Sequence, residues 1–284
     1  MPELPEVEIV RRGLIQLVKG KTIQEVQIIY DRIIAFPLPS SFSKKLQDER
    51  IDDVRRRGKF LIFKLRHYDL ISHLRMEGKY VFSNQKNSST EKHTHVIFIF
   101  TDGSKLSYKD ARKFGRMVLV EKDQALSYRS LQKLGPEPVE SEFLFSQFWE
   151  QLARSKKSIK TLLLEQKIVV GLGNIYVDEC LWQAKIHPEQ KANTLLSKEA
   201  TLLREVIIET LSRAIKLGGT TIRSYKNALG KSGHFQSELK VYGRKDKSCF
   251  RCGDLIQKIS ISGRGTHFCP TCQKLHAREG RVEK

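Results

Sequence analysis

The sequence predicts an α+β multidomain chain: a helix-capped antiparallel β-sandwich first, a helical region second and a cysteine-bearing hairpin last. Three observations carry this. A short helical pattern at the start gives way to period-two alternation up to about residue 120, a Pro- and Gly-bearing break follows at 134–142, and helical spacing then leads to two C-x2-C pairs. The 284 residues also suffice to bury the cores of two domains of ordinary size.

Pro5 is pre-organised for the first turn of a helix, and Val7, Val10, Leu14 and Leu17 then recur at steps of three and four until Gly20. Alternation follows in Val26, Ile28 and Tyr30 and again from His95 to Phe100, with Asp102-Gly103 as a hairpin turn. Gly135, Pro136 and Pro138 break both periods, which makes this stretch the expected linker. The clearest later helix starts near Ser197, read as its N-cap, carries Leu203, Val206, Ile207, Thr210, Leu211, Ala214 and Ile215 on one stripe, and ends at Gly218-Gly219. Thr220 to Gln236 is polar and too long for a simple connection, so it reads as disordered or as a functional lid. The chain is thereby divided into residues 1–134, a linker over 135–145, then 146–236 and 237–284.

Fifty-one Lys and Arg stand against 32 Asp and Glu, and the surplus of +19 is spread along the chain. Such a surface repels itself when compact and suits a polyanion, nucleic acid before a membrane surface. No apolar run is long enough to span a bilayer, and the first residues lack the apolar stretch of a signal peptide, so the expected compartment is the cytoplasm. Cys180, inside a helical stretch, reads as packing.

Cys249, Cys252, Cys269 and Cys272 form C-x2-C-x16-C-x2-C, a spacing that sets four thiolates around one zinc ion. Four sulfurs leave no open coordination position, so one structural Zn2+ is expected; disulfides are the alternative, disfavoured in a reducing compartment. Gly263-Arg264-Gly265 lies between the pairs and reads as a hairpin tip that presents Arg264 to a phosphate, although an arginine in a turn is usually only solvated.

Pro2 follows Met1, and removal of Met1 would expose a secondary amine beside Glu3. Such an amine, attacking an aldehyde-level sugar carbon, gives an iminium that stays positively charged without a proton and so drains electrons from the sugar. With a pKa near 8, about a tenth of an ordinary amino terminus is free base at pH 7, so lowering it gains about tenfold at most. Orientation, base extrusion and acid assistance must supply the rest. Glu3 can give and retake the proton, and Glu6, one helical turn on, can orient it. Chemistry alone does not single out these residues, since many chains simply begin Met-Pro-Glu.

MPELPEVE at the start, GLGNIYVDE at 171–179 and GRGTHFCPTCQ at 263–273 together resemble the formamidopyrimidine-DNA glycosylase family, end to end and in order. The resemblance implies a catalytic N-terminal sandwich, a helix-two-turns-helix domain with a lesion-capping loop, and a β-hairpin zinc finger, with DNA in the cleft between domains. It implies removal of oxidised purines such as 8-oxoguanine and formamidopyrimidines through Pro2, then β and δ elimination. Lys59, in RRRGKF, matches the family's essential lysine; alone it reads as a solvated strand residue. The Gly171–Asn174 turn opens a helix whose N–H groups can hold a phosphate, joined by His73, Lys59, Lys156 and Arg264.

The damaged base must leave the stack, and Met76, Arg112 and Phe114 match the residues that fill the gap, though Met and Phe in strands otherwise read as core. Glu6, Glu77, Thr220, Thr221 and Tyr225 are expected around the extruded base. The partner implied is double-stranded DNA with oxidised purines or abasic sites, bound by a monomer. Glu165 and Lys167 depart from the family's usual residues, away from the chemistry. Two readings compete: a pyrimidine-directed endonuclease VIII type, whose members generally begin PEGPE and lack the Arg and Phe wedge, and a noncatalytic zinc-ribbon protein that binds damaged DNA without using Pro2.

Overall fold

The computed structural model describes residues 1–84, 91–220 and 233–279. They form two compact units, Met1–Lys133 with the described part of Gly218–His234, and Leu134–Leu217 with the described part of Phe235–Lys284.

The first unit opens with α1 (Leu4–Val18), whose Leu4, Val7, Val10, Leu14 and Val18 are all buried. That stripe repeats at three and four residues and presses on β3 (Ile51–Arg57) and β4 (Phe60–Leu65). Between them come β1 (Ile23–Ile28), β2 (Ile34–Phe36) and α2 (Pro39–Leu46). The unit continues with β5 (Tyr68–His73), β6 (Lys79–Ser83), β7 (Thr94–Phe100), β8 (Lys105–Lys109), β9 (Arg116–Glu121) and the single turn α3 (Arg129–Gln132). Two sheets result, ordered β1-β7-β8-β6 and β2-β9-β5-β4-β3. Every pairing is antiparallel except β2 with β9, where a three-residue strand adds in parallel at the edge.

The core joins α1 to residues of both sheets, among them Phe63, Tyr80, Phe98, Phe100, Tyr108 and Met117. Alternation in β7 is weaker than its sequence suggests: His95, Val96, Ile97 and Phe98 are all buried, so both faces of the strand are covered. Asp102-Gly103 does turn the chain between β7 and β8, and Asp102 accepts the Ser104 N–H at 3.0 Å.

The second unit holds α4 (Phe145–Ala153), α5 (Ile159–Leu164), α6 (Asn174–Gln183), α7 (Ser197–Lys216) and the hairpin of β10 (Gln257–Ile261) and β11 (Arg264–Phe268). Leu203, Val206, Ile207, Thr210, Leu211 and Ala214 of α7 are buried, whereas Ile215 is half-buried. Ser197 is the first helical residue and not the cap. Leu196 caps, because the Glu199 carboxylate accepts its N–H at 2.8 Å. Among the described residues, no helix is long and apolar enough to cross a membrane.

Candidate active site and metal centre

The start of α1 is fixed by a reciprocal pair of carboxylates, the Glu3 side chain accepting the Glu6 N–H in return. Glu6 Oε2 accepts the backbone N–H of Glu3 at 2.8 Å, and Glu6 Oε1 accepts both the N–H and the hydroxyl of Thr220 at 2.8 and 3.0 Å. Pro2, Glu3 and Glu6 are buried. Thr220 therefore reaches the same carboxylate as the chain start. Thr221 and Tyr225 lie outside the described residues.

Lys59, 7% exposed, sits in the connection from β3 to β4. Arg56 clamps that connection, donating to the Gly58 carbonyl at 2.9 Å and to Glu8 of α1 at 3.2 Å. Burial pushes the Glu8 carboxyl up, but the guanidinium groups of Arg11, Arg12 and Arg56 outweigh it and hold the group below the usual carboxylate range. Neither Glu8 nor Arg56 was singled out by sequence. The (i, i+3) and (i, i+4) spacing to Arg11 and Arg12 is the signal that was there to be read.

His73 ends β5, edge-on to Phe60 with ring centroids 4.4 Å apart. Its Nδ1 accepts the Arg75 N–H at 2.9 Å, so in the neutral ring the proton rides on Nε2. Burial, then the charges of Arg75 and Lys59, push its pKa down to about 3. The folded chain therefore holds fewer protons than the unfolded chain between about pH 6.5 and 3. Stability from this group is complete above that window and lost as pH falls through it. The expected result is a His73 ring proton shift that stays flat from pH 8 to about 4.5 in NMR titration; a midpoint near 6.5 would sink this assignment.

Met76 is half-buried, while Glu77, Arg112 and Phe114 are exposed. The Arg112 guanidinium lies over the Phe114 ring, 4.6 Å from its centroid. Lys156, before α5, is exposed. These positions agree with solvent-facing roles for Arg112 and Phe114, not with core packing.

In the second unit α6 seats the cysteine hairpin. Asn174 Nδ2 donates to the Gly265 carbonyl at 2.8 Å, and Asp178 accepts the His267 N–H at 2.8 Å. Glu179 accepts the N–H groups of Lys240, Val241 and Tyr242, and burial raises its pKa against these three donors. Trp182 donates to Cys249 Sγ at 3.4 Å, and Arg251 stacks on its ring. Before α6, Gln166 accepts the Gly171 N–H at 2.9 Å and donates to the Leu172 carbonyl at 2.5 Å, which shapes the glycine turn. Arg264 is exposed but does not occupy the turn itself. Ser262 and Gly263, at φ +48° and +72°, make the two-residue turn, and Arg264 opens β11.

Lys160 and Asp178 form a fully buried ion pair at 2.6 Å. Asp178→Ala removes the carboxylate from a buried ammonium and from the His267 N–H, and is expected to lower the stability of the helical unit by about 3–5 kcal/mol, read from urea unfolding. A change under about 1 kcal/mol would show that the pair is not isolated from water.

The four cysteine sulfurs lie within 4.8 Å of one another, with Cys249–Cys272 at 3.9 Å and Cys252–Cys269 at 3.4 Å. Tetrahedral Zn–S bonds of about 2.3 Å place sulfurs about 3.8 Å apart, so the set fits zinc. The N–H groups of Arg251 and Cys272 point at Cys249 and Cys269 at 3.4 Å each, as thiolate ligands require.

Three family models match the chain: the formamidopyrimidine-DNA glycosylase N-terminal domain over residues 1–117, the H2TH domain of the same family over 134–226, and a zinc finger found in FPG and IleRS over 247–275. Together with the thiolate tetrad they define a zinc-finger DNA glycosylase. A formamidopyrimidine-DNA glycosylase of Enterococcus faecalis is 55% identical over 98% of this chain and 99% of its own. The chain belongs to the formamidopyrimidine-DNA glycosylase family. The Lactococcus lactis Fpg in complex with DNA containing N7-benzyl-Fapy-dG is 49% identical, with a TM-score of 0.91 over 96% of this chain and 100% of that one. The same L. lactis enzyme with DNA containing an oxidised pyrimidine matches at 48% identity and a TM-score of 0.90, over 96% and 100% of the two chains.

Proposed function

We propose that this chain is a bifunctional base-excision glycosylase that removes 8-oxoguanine and formamidopyrimidines from double-stranded DNA and then cuts the strand. The observation that carries the reading is the anchored chain start, in which Glu6 holds both the Glu3 N–H and Thr220. After loss of Met1, the Pro2 nitrogen bonds to C1′ of the everted nucleotide, and the bond from C1′ to the base breaks while Glu3 delivers the proton the base or ring oxygen takes up. Pro2 then sheds its N–H proton, the C1′–O4′ bond breaks and O4′ takes up a proton as the sugar ring opens; the resulting iminium acidifies the C2′ proton, whose removal expels the 3′ phosphate, and a second elimination expels the 5′ phosphate. Lys59, His73 through its Nε2 hydrogen, Asn174, Lys156 and Arg264 hold phosphates, contacts that position without reading sequence. Met76, Arg112 and Phe114 fill the vacated stack, and Glu77, Thr220, Thr221 and Tyr225 surround the base. Zinc has no catalytic step; it keeps Arg264 in place. The protein works as a monomer in the cytoplasm, on chromosomal DNA.

The purine preference is tested by single-turnover base release from a panel of duplexes. Oxidised purines are expected to be excised at least about tenfold faster than oxidised pyrimidines, a difference of about 1.4 kcal/mol in barrier. Equal or reversed rates would remove the purine assignment, and the L. lactis complex with an oxidised pyrimidine makes that panel essential.

A further inference from the structure

We infer that Asp110 sets the turn bearing Arg112 and Phe114 before DNA arrives, and is a positioning residue for base extrusion. The inference rests on the reading that Arg112 and Phe114 enter the duplex.

Four consecutive amides converge on this one residue. Asp110 Oδ1 accepts the Arg112 N–H at 3.0 Å, and Oδ2 accepts those of Phe114 and Gly115 at 2.9 and 2.8 Å. The Asp110 carbonyl accepts the Lys113 N–H at 3.2 Å and meets His95 Nε2 at 2.8 Å, while its own N–H donates to the His93 carbonyl. Asp110 is 1% exposed, although Ala111 to Phe114 are all exposed. Lys113 sits at φ +59°, a left-handed conformation that a lysine rarely keeps without outside support.

The turn is also pinned from beneath. A Cβ on Gly115 would fall 1.7 Å from the Tyr108 hydroxyl and one on Gly78 would fall 2.3 Å from it, so two backbones close on one ring. Lys79 pairs with Lys109 across β6 and β8, which brings the loop carrying Met76 beside the turn carrying Arg112 and Phe114. A surface turn of five residues with no anchor samples many shapes, and each must be abandoned when the duplex is entered. Here the buried carboxylate has already chosen one.

Asp110→Asn puts an NH2 group where one carboxylate oxygen accepts N–H, so part of the fan is lost at nearly constant volume. Single-turnover excision of 8-oxoguanine from a duplex is expected to fall about tenfold to a hundredfold, because extrusion depends on wedge geometry. Strand cleavage at an abasic site in a single-stranded oligonucleotide, with no base to expel and no stack to fill, is expected to fall less than about twofold. Equal losses on both substrates, or no loss on the duplex, would overturn the inference. Hydrogen exchange on the unaltered, DNA-free protein decides the matter should the variant not fold: protected amides at Arg112, Phe114 and Gly115 support it, and exchange at unstructured rates overturns it. Arg112→Ala with Phe114→Ala separates the two levels. If that double variant excises at the full duplex rate, the wedge reading itself fails; if it is crippled while Asp110→Asn is not, only the role of Asp110 fails.

Discussion

A chain that keeps Met1 is expected to give no borohydride-trapped adduct with an 8-oxoguanine duplex, and its strand cutting is expected to drop by about 10³-fold or more, the scale of losing a covalent nucleophile. The reason is electronic. With Met1 in place the Pro2 nitrogen is an amide, its lone pair delocalised into the carbonyl, and it cannot attack C1′. Pro2→Gly exposes an amine but only a primary one, so the adduct is an imine that must find a proton to act as an electron sink; base release is expected to slow and the trapped band to weaken there. Duplex binding should survive in both cases, because the phosphate contacts proposed for His73, Asn174 and Arg264 do not involve this nitrogen. Normal trapping by the chain that keeps Met1, or a reduced sugar found by mass spectrometry on any residue other than the first, would reassign the nucleophile.

The second large effect concerns the metal. Zinc removal by a strong chelator, or Cys269→Ser, is expected to abolish the β10–β11 hairpin signals in NMR and to weaken duplex binding by about a hundredfold. Structural zinc sites contribute about 10–16 kcal/mol of apparent binding energy at pH 7, and in a small finger that energy is folding energy. The local core supports this scale. Among the described residues the cluster around the cysteines is small, Trp182, Val241, Cys249, Ile256 and Cys269 with Cys272 at the edge, too few side chains to hold a hairpin unaided. One equivalent of zinc per chain should be recovered on denaturation. Full-affinity binding by a zinc-free chain would disconnect the finger from DNA recognition.

Much of the fold was legible because periodicity reports one-sided burial. Val7, Val10 and Leu14 kept their stripe in α1, and the α7 stripe survived from Leu203 to Ala214. Boundaries were less legible. Glu199, three residues on, gave the cap to Leu196 in place of Ser197, and two successive left-handed residues moved the hairpin turn one position ahead of Arg264. Alternation in β7 misled for a different reason, since a strand covered on both faces carries no contrast. The cysteine spacing was decisive on its own, because thiolates at that interval have few other uses. Pro2 was not: only the matching blocks elsewhere in the chain lifted it above an ordinary start. Lys160 and Asp178, 18 residues apart, gave no local sign of meeting, as a lysine in a helical stretch reads as solvated. Asp110 did leave a trace, an aspartate placed to bond amides two and more residues ahead in a Gly-terminated turn.

Helix α6 turns the side chains of Asn174, Asp178, Glu179 and Trp182 to the segment from Lys240 to His267. Modularity therefore ends at the socket and not at the metal. A transplant of residues 247–275 into a foreign helical scaffold would carry the ion yet leave its seat behind, with a hairpin tumbling freely at the end of a tether. For this finger to move between proteins as a working part, the host must already own a helix with the same four anchors, or receive that helix along with it.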